Sequence, residues 1–179
     1  FGVNGIQYAI QLHLVSCGTN ATSIGFISGG ISLMMLVGSL LAGKFSDKVP
    51  VGPTVCLAYL FICLCVLSMA LTDNYWVMLV ANSFVGLPFP LINAMLLGFI
   101  FAKSPTSMQG RITVTLTVPA QVLSMFCSAV AGTLLPVFGF HGAVLVFLAV
   151  LVASAVLVIC SRSIRSIPKA AQWEHTMLR

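Results

Sequence analysis

Five amide side chains lie inside otherwise apolar stretches of the sequence: Gln7, Gln11, Asn82, Asn93 and Gln121. An amide carries hydrogen-bond donors and acceptors but does not titrate, so it is suited to recognition rather than to acid–base or nucleophilic catalysis. Gln7 and Gln11 are four residues apart and would share one face of a helix. Each amide has two possible roles, contact with a bound small molecule or a hydrogen bond that holds neighbouring helices together.

Residues for covalent or metal chemistry are sparse. His13 is the only candidate for proton exchange inside an apolar stretch. The six cysteines have no zinc-site spacing, and the apolar stretches hold no set of His, Asp and Glu for a metal and no convincing Ser–His–Asp arrangement. The sequence therefore predicts neither an enzyme nor a cofactor.

The composition explains why so few side chains are available for chemistry. Of 179 residues, 59% are hydrophobic and only 6% are charged, whereas a soluble domain carries about 25% charged residues. A soluble core of this size could not bury so much apolar surface, so the sequence predicts an integral membrane protein in a lipid bilayer. The net charge of +5 is spread over three connections without aromatic neighbours, which argues against nucleic-acid binding.

Apolar stretches at residues 1–15, 24–42, 54–71, 76–102, 112–137 and 143–160 predict six membrane-spanning helices. The first would reach only about 22 Å, short of a hydrocarbon core of about 30 Å. It is either the end of a longer span or not a full span. Gly25 and Gly29 in the second stretch predict close approach of another helix. Pro88 and Pro90 in the fourth predict a kink or break.

Charge gives the sidedness of these helices. All eight basic residues follow the second, fourth or sixth stretch: Lys44, Lys48, Lys103, Arg111, Arg162, Arg165, Lys169 and Arg179. The three intervening connections carry Asp73 and His141 but neither Lys nor Arg. Because cytoplasmic loops collect basic residues, we expect a multi-pass protein of the cell membrane with a cytoplasmic C-terminus. Residues 1–161 would form the helical bundle and 162–179 a basic cytoplasmic tail.

The stretches also repeat in character. The first and fourth carry amides, the second and fifth carry small residues at four-residue intervals, and the third and sixth are bulky and plain. Two successive groups of three spans must run in opposite directions across the membrane. The sequence thus predicts an all-α polytopic membrane protein built from two inverted three-helix repeats, an arrangement typical of secondary transporters.

Two segments carry a resemblance to a known family. Residues 43–48, Gly-Lys-Phe-Ser-Asp-Lys, resemble the Gly-x-x-x-Asp-Arg/Lys core of the loop motif in major facilitator superfamily transporters. The continuation Val-Pro-Val-Gly departs from the Gly and basic residues of the family pattern, and in this it resembles the second copy of the motif, between the eighth and ninth helices. Residues 86–93 and the run Ser-Met-Gln-Gly-Arg at 107–111 are similar to the C-terminal half of bacterial drug and siderophore exporters of the macrolide-efflux and enterobactin-exporter type.

This resemblance implies a twelve-helix transporter of which the chain is the C-terminal six-helix half, with an N-terminal half and a small-molecule substrate as partners. It implies efflux of drug-like or siderophore-like molecules by alternating access. Gly43, Asp47, Lys48 and Arg111 would belong to the cytoplasmic gate, and the five amides would face the substrate near the membrane midplane. If protons are a further partner, we expect the coupling carboxylate on the N-terminal half.

An alternative function remains open from the sequence. Six spans could form a complete protein that works as a dimeric channel or small permease. A membrane-embedded enzyme has weaker support, since the apolar stretches hold no catalytic constellation.

Overall fold

The computed structural model describes residues 1–45, 49–105 and 107–161. Within these ranges the chain confirms the predicted all-α class, with six helices: α1 (Gly2–Ser16), α2 (Ala21–Phe45), α3 (Val51–Ala70), α4 (Tyr75–Gly86), α5 (Phe89–Lys103) and α6 (Gln109–Cys160). Four stretches of the described residues are long and apolar enough to cross a membrane: Ala21–Lys44, Val51–Ala70, Tyr75–Ala102 and Gln109–Cys160.

Local chemistry explains where two of the helices begin. The side chain of Asn74 accepts a hydrogen bond from the backbone N–H of Trp76 at 2.9 Å and caps the start of α4. Pro50 is in an extended conformation just before α3. Pro53 follows in the first turn of that helix, where the missing N–H of proline costs no helical hydrogen bond.

The longest helix, α6, folds back on itself. It spans 52 residues, about 78 Å if straight, or more than twice the hydrocarbon thickness of a bilayer. Gly139 interrupts it with φ of 69°, a left-handed conformation that glycine adopts without steric cost. Contacts with α1 show the reversal. Cys127 and Phe147, on opposite sides of Gly139, both contact Phe1 at the start of α1, whereas Phe140 stacks on His13 near its end.

The helix α2 runs parallel to α4 and α5. Successive contacts link Ser23 to Tyr75 and Ile27 to Asn82. Farther along, a Cβ added at Gly38 would meet the carbonyl oxygen of Leu87, so the two backbones approach closely there. At Gly25 and Gly29, where the sequence predicts close approach of another helix, an added Cβ meets nothing within 4 Å in the described part of the chain. Those two glycines lie on the opposite, exposed face of α2.

These contacts define two ends of the bundle. The base-free end holds the connections 17–20 and 71–74 together with Gly139, and no Lys or Arg of the described residues lies there. The basic end holds the end of α2, the end of α5 and the start of α6. Asp47, Lys48 and the predicted tail at 162–179 lie outside the described residues.

Two predicted boundaries differ from the structure. The connection between the predicted stretches 112–137 and 143–160 is reduced to Gly139 alone, because the residues on both sides of this positive-φ glycine are helical. The predicted fourth span is divided into α4 and α5, with Leu87 and Pro88 between them. Both of these residues keep near-helical dihedral angles, so the chain direction changes little across the break.

Candidate functional site

A stripe of polar side chains runs along α1. Asn4, Gln7, Tyr8 and Gln11 follow the helical spacing that places residues on one face, and all four are exposed or half-buried. The opposite face of the helix is apolar and packs against α6 through the buried residues Gly5, Ile6, Ala9 and Ile10. This helix therefore packs through its apolar face and presents its polar face away from the core.

The polar stripe lines a cavity of about 300 Å³ that Ser124 of α6 closes on one side. The Nε2 atom of Gln11 donates a hydrogen bond of 3.4 Å to the hydroxyl of Ser28 on α2. This distance is long for an N–H···O bond, whose usual range is about 2.7–3.2 Å. The amide is thus weakly engaged and free to bond another group, and the cavity wall can both donate and accept hydrogen bonds.

A second cavity of about 350 Å³ lies among α1, α3, α5 and α6. Its polar lining residues are Asn4, Tyr59, Asn93 and Ser154, set among apolar side chains. Asn4 borders both cavities. Asn93 is exposed. It lines this second cavity together with residues from the start of α1, and it does not line the first cavity.

The other two predicted amides are placed differently. Asn82 is only 2% exposed, and its Nδ2 atom donates to the backbone carbonyl of Ile27 at 3.3 Å. Its amide holds α4 against α2 and lines neither cavity. Gln121 is exposed on α6, one turn before Ser124, whose hydroxyl donates to the Gln121 backbone carbonyl at 2.9 Å. Its side chain lies outside the lining of both cavities.

The predicted gating and kink residues lie toward or between helix ends. Gly43 is in the last turn of α2 and Arg111 in the first turn of α6, both exposed. Pro88 lies between α4 and α5, and Pro90 is the second residue of α5. Near this start of α6, the Gln109 side chain donates to the carbonyl of Phe101 at 3.2 Å, which ties α6 to the last turn of α5.

A groove of about 640 Å³ lies between α3 and α4 and carries no such polar set. Its lining is almost wholly apolar, from Phe61 and Leu64 to Val80 and Phe84. A groove of this kind can accommodate hydrocarbon but cannot orient a polar ligand by hydrogen bonds.

Of the residues that line the first cavity, the sequence analysis singled out Gln7 and Gln11 but not Asn4, Tyr8 or Ser124. The signal for Asn4 and Tyr8 is present in the sequence, because positions 4, 7, 8 and 11 form one helical stripe. Ser124 has no comparable signal. Its place at the cavity depends on how the first arm of α6 packs beside α1, which no local pattern encodes.

A bundle of long apolar helices is typical of an integral membrane protein, and the polar stripe beside a cavity gives one of these helices a surface that can bind a small molecule. The sequence model of the Major Facilitator Superfamily matches residues 1–177, so the chain belongs to that family. Its members are typically membrane transporters rather than enzymes. No curated protein and no solved structure gives a significant match.

Proposed function

We propose that the chain forms the C-terminal six-helix half of a secondary transporter that exports drug-like or siderophore-like small molecules by alternating access. The observation that carries this proposal is the polar stripe of α1. In lipid, an unsatisfied polar group costs several kcal/mol. A stripe of four such residues must therefore face an aqueous cavity or another protein surface.

The packing pattern supports six spans arranged as two inverted repeats. The arms of α6 at 109–138 and 140–160 supply the fifth and sixth spans, and α4 with α5 supplies the fourth. The fourth span packs against α2 and α3, while α1 packs against α6, whose two arms both contact it. The first span of each three-span repeat thus packs on the second and third spans of the other repeat. A pseudo-two-fold axis that relates the two repeats would produce this pattern of contacts.

Exposed small residues support a second six-helix unit as the partner. Gly25 and Gly29 on α2, with Ala120 and Gly132 on α6, are exposed in the described part of the chain. Small side chains on a membrane helix favour close contact with another helix. A second unit that packs on these faces would also enclose the polar stripe and complete a central cavity. In this arrangement the basic end and the C-terminus are cytoplasmic, in the cell membrane.

The chemistry of the wall favours an amphiphilic substrate with uncharged hydrogen-bonding groups. Gln7, Gln11 and Asn4 supply neutral donors and acceptors, and Tyr8 adds a ring face and a hydroxyl. Polyketide-like drugs and catechol siderophores carry such groups. Charge recognition and the carboxylate for proton coupling would come from the other half.

At the basic end, we propose that Gly43, Asp47, Lys48 and Arg111 act in the cytoplasmic gate. A carboxylate near helix ends can accept backbone N–H groups or pair with a base. Such contacts would form when the cytoplasmic side is closed and break when it opens, so they would set the balance between the two states.

Transport by the intact protein in inside-out vesicles tests the proposed function, with a radiolabelled macrolide and a radiolabelled catechol siderophore as probes. We expect saturable, energy-dependent uptake of at least one of them. The double variant Gln7→Ala/Gln11→Ala should lower the initial rate about ten- to one-hundred-fold, as two lost hydrogen bonds predict, with no change in melting temperature. Asn93→Ala is the matched control for an exposed amide at the other cavity.

Three results would count against parts of this proposal. Failure to transport either probe removes the proposed substrate class. Unchanged transport by the double variant removes the polar stripe from the substrate path. Flux that needs only a second copy of this chain, and no second six-helix unit, favours the dimeric channel or permease.

The membrane topology has a separate test. Cysteines placed at Thr72 and Ser107, in a background without the native cysteines, should react with a membrane-impermeant maleimide from opposite sides. Labelling of both from the same side would rule out the six-span arrangement.

A further inference from the structure

A cluster of titratable side chains joins three elements at the base-free end. The Nε2 atom of His141 lies 3.3 Å from the Oδ1 atom of Asp73, which links the second arm of α6 to the turn between α3 and α4. His13, in the last turn of α1, stacks on Phe140 with ring centroids 4.2 Å apart. The proposed substrate path and gate use none of these contacts.

The cluster lies beside the residue at which α6 reverses direction. His141 is two residues beyond Gly139, the joint at which α6 reverses. A contact made there fixes the second arm of α6 relative to both the α3–α4 turn and the end of α1. The titratable groups that meet at this end are His13 of α1, Cys17 just after that helix, Asp73, Tyr75 and His141. The described Lys and Arg residues all lie at the other end of the bundle.

We propose that the contact between Asp73 and His141 becomes stronger at low pH and then holds the helices together at the base-free end of the bundle. We call this pair the latch. Histidine is the side chain that ordinarily changes charge between pH 5 and 8, whereas a carboxylate stays ionised over most of that range. Protonation of His141 converts a neutral contact into an ion pair with Asp73. The attraction is therefore present at low pH and is lost as the pH rises. This inference concerns local opening and does not depend on the identity of the substrate.

The expected effect is modest because the pair is accessible to water. The side chains of His141 and Asp73 are 46% and 72% exposed, and ion pairs at such positions contribute little to stability. A two- to five-fold change in the local opening equilibrium is about the limit for such a pair. A change of this size suffices to bias two conformations that are nearly equal in free energy.

Hydrogen–deuterium exchange on the intact protein in lipid vesicles tests the latch, with labelling times scaled for the intrinsic pH dependence of amide exchange. We expect the segments 71–75 and 139–143 to exchange two- to five-fold more slowly, relative to the intrinsic rate, at pH 5.5 than at pH 8. His141→Gln and Asp73→Asn should each abolish this difference. Either variant alone suffices if the other fails to fold.

Two control variants make the test specific. Tyr75→Phe removes the uncharged hydrogen bond of 2.7 Å from the Tyr75 hydroxyl to the Ser23 carbonyl, so it should raise exchange equally at both pH values. His13→Gln should leave the pH difference in place. The proposal is overturned if the wild-type protein shows no pH difference, if His141→Gln retains it, or if His13→Gln alone removes it.

Discussion

On α4 the amide of Asn82 is buried and bonded to a backbone carbonyl of α2. On α1 the amides of Gln7 and Gln11 stay half-buried beside a cavity. The two regions contain the same chemical group inside helices of the same bundle. They differ in how closely the backbone of a neighbouring helix approaches the amide. Where Gly38 and Gly86 let α2 and its neighbours approach closely, an amide has a carbonyl within reach, and its hydrogen bonding serves helix packing.

Along the polar stripe of α1, the described part of the chain provides no backbone hydrogen-bond partner for the Gln7 and Gln11 amides. The amides therefore keep hydrogen-bonding capacity for a ligand, apart from the long bond between Gln11 and Ser28. A polar residue in a membrane helix thus supports packing or binding according to the closeness of the adjacent helix. Three sets of variants test this contrast directly.

The largest effect should come from Gly38→Leu. The carbonyl of Leu87 belongs to the backbone and cannot move aside for a side chain, so the contact between α2 and the α4–α5 break should open. We expect a loss of about 3 kcal/mol or more in the free energy of unfolding, at the upper end of overpacking effects. Denaturant unfolding in detergent measures it. Gly29→Leu is the matched control, because an added Cβ there meets nothing within 4 Å in the described part of the chain. With both variants measured on this chain without its proposed partner unit, Gly29→Leu should change stability by less than about 0.5 kcal/mol. Equal losses in both variants would contradict the assignment of faces on α2.

An intermediate effect should come from Asn82→Leu, which keeps the side-chain size but removes the bond to Ile27. Interhelical hydrogen bonds in membranes contribute about 0.6 kcal/mol on average and up to about 1.7. We expect a loss of about 1 kcal/mol in unfolding free energy, with transport per folded molecule unchanged. Asn93→Leu, at an exposed amide, should leave stability nearly unaltered. A large transport defect in folded Asn82→Leu protein would place Asn82 in the substrate path after all.

The smallest effect on stability should come from Ser28→Ala, which removes the partner of the Gln11 amide. Because that bond is long and half-exposed, we expect less than about 0.5 kcal/mol of change in unfolding free energy. The freed amide should instead alter substrate affinity, with a two- to five-fold change in KM in the vesicle assay and little change in maximal rate. A stability loss larger than that of Asn82→Leu would reverse the contrast between the two regions.

Much of the fold could be predicted because apolar length and basic residues are strong signals in membrane proteins. The stretches at 54–71 and 76–102 match α3 and the α4–α5 pair to within a few residues. The sequence could not predict which amide would be buried between helices and which would lie beside a cavity. That outcome depends on the register between α2 and α4, which Gly38 and Gly86 determine through contacts between residues about 50 positions apart.

The reversal at Gly139 also matters for how the chain is made. In the six-span arrangement proposed above, the single residue Gly139 leaves no loop between the two arms of α6. We therefore expect the 52 residues of α6 to insert into the membrane together, as one helical hairpin. For the same reason, we expect an epitope tag or a protease site inserted at Gly139 to disturb the packing of the two arms.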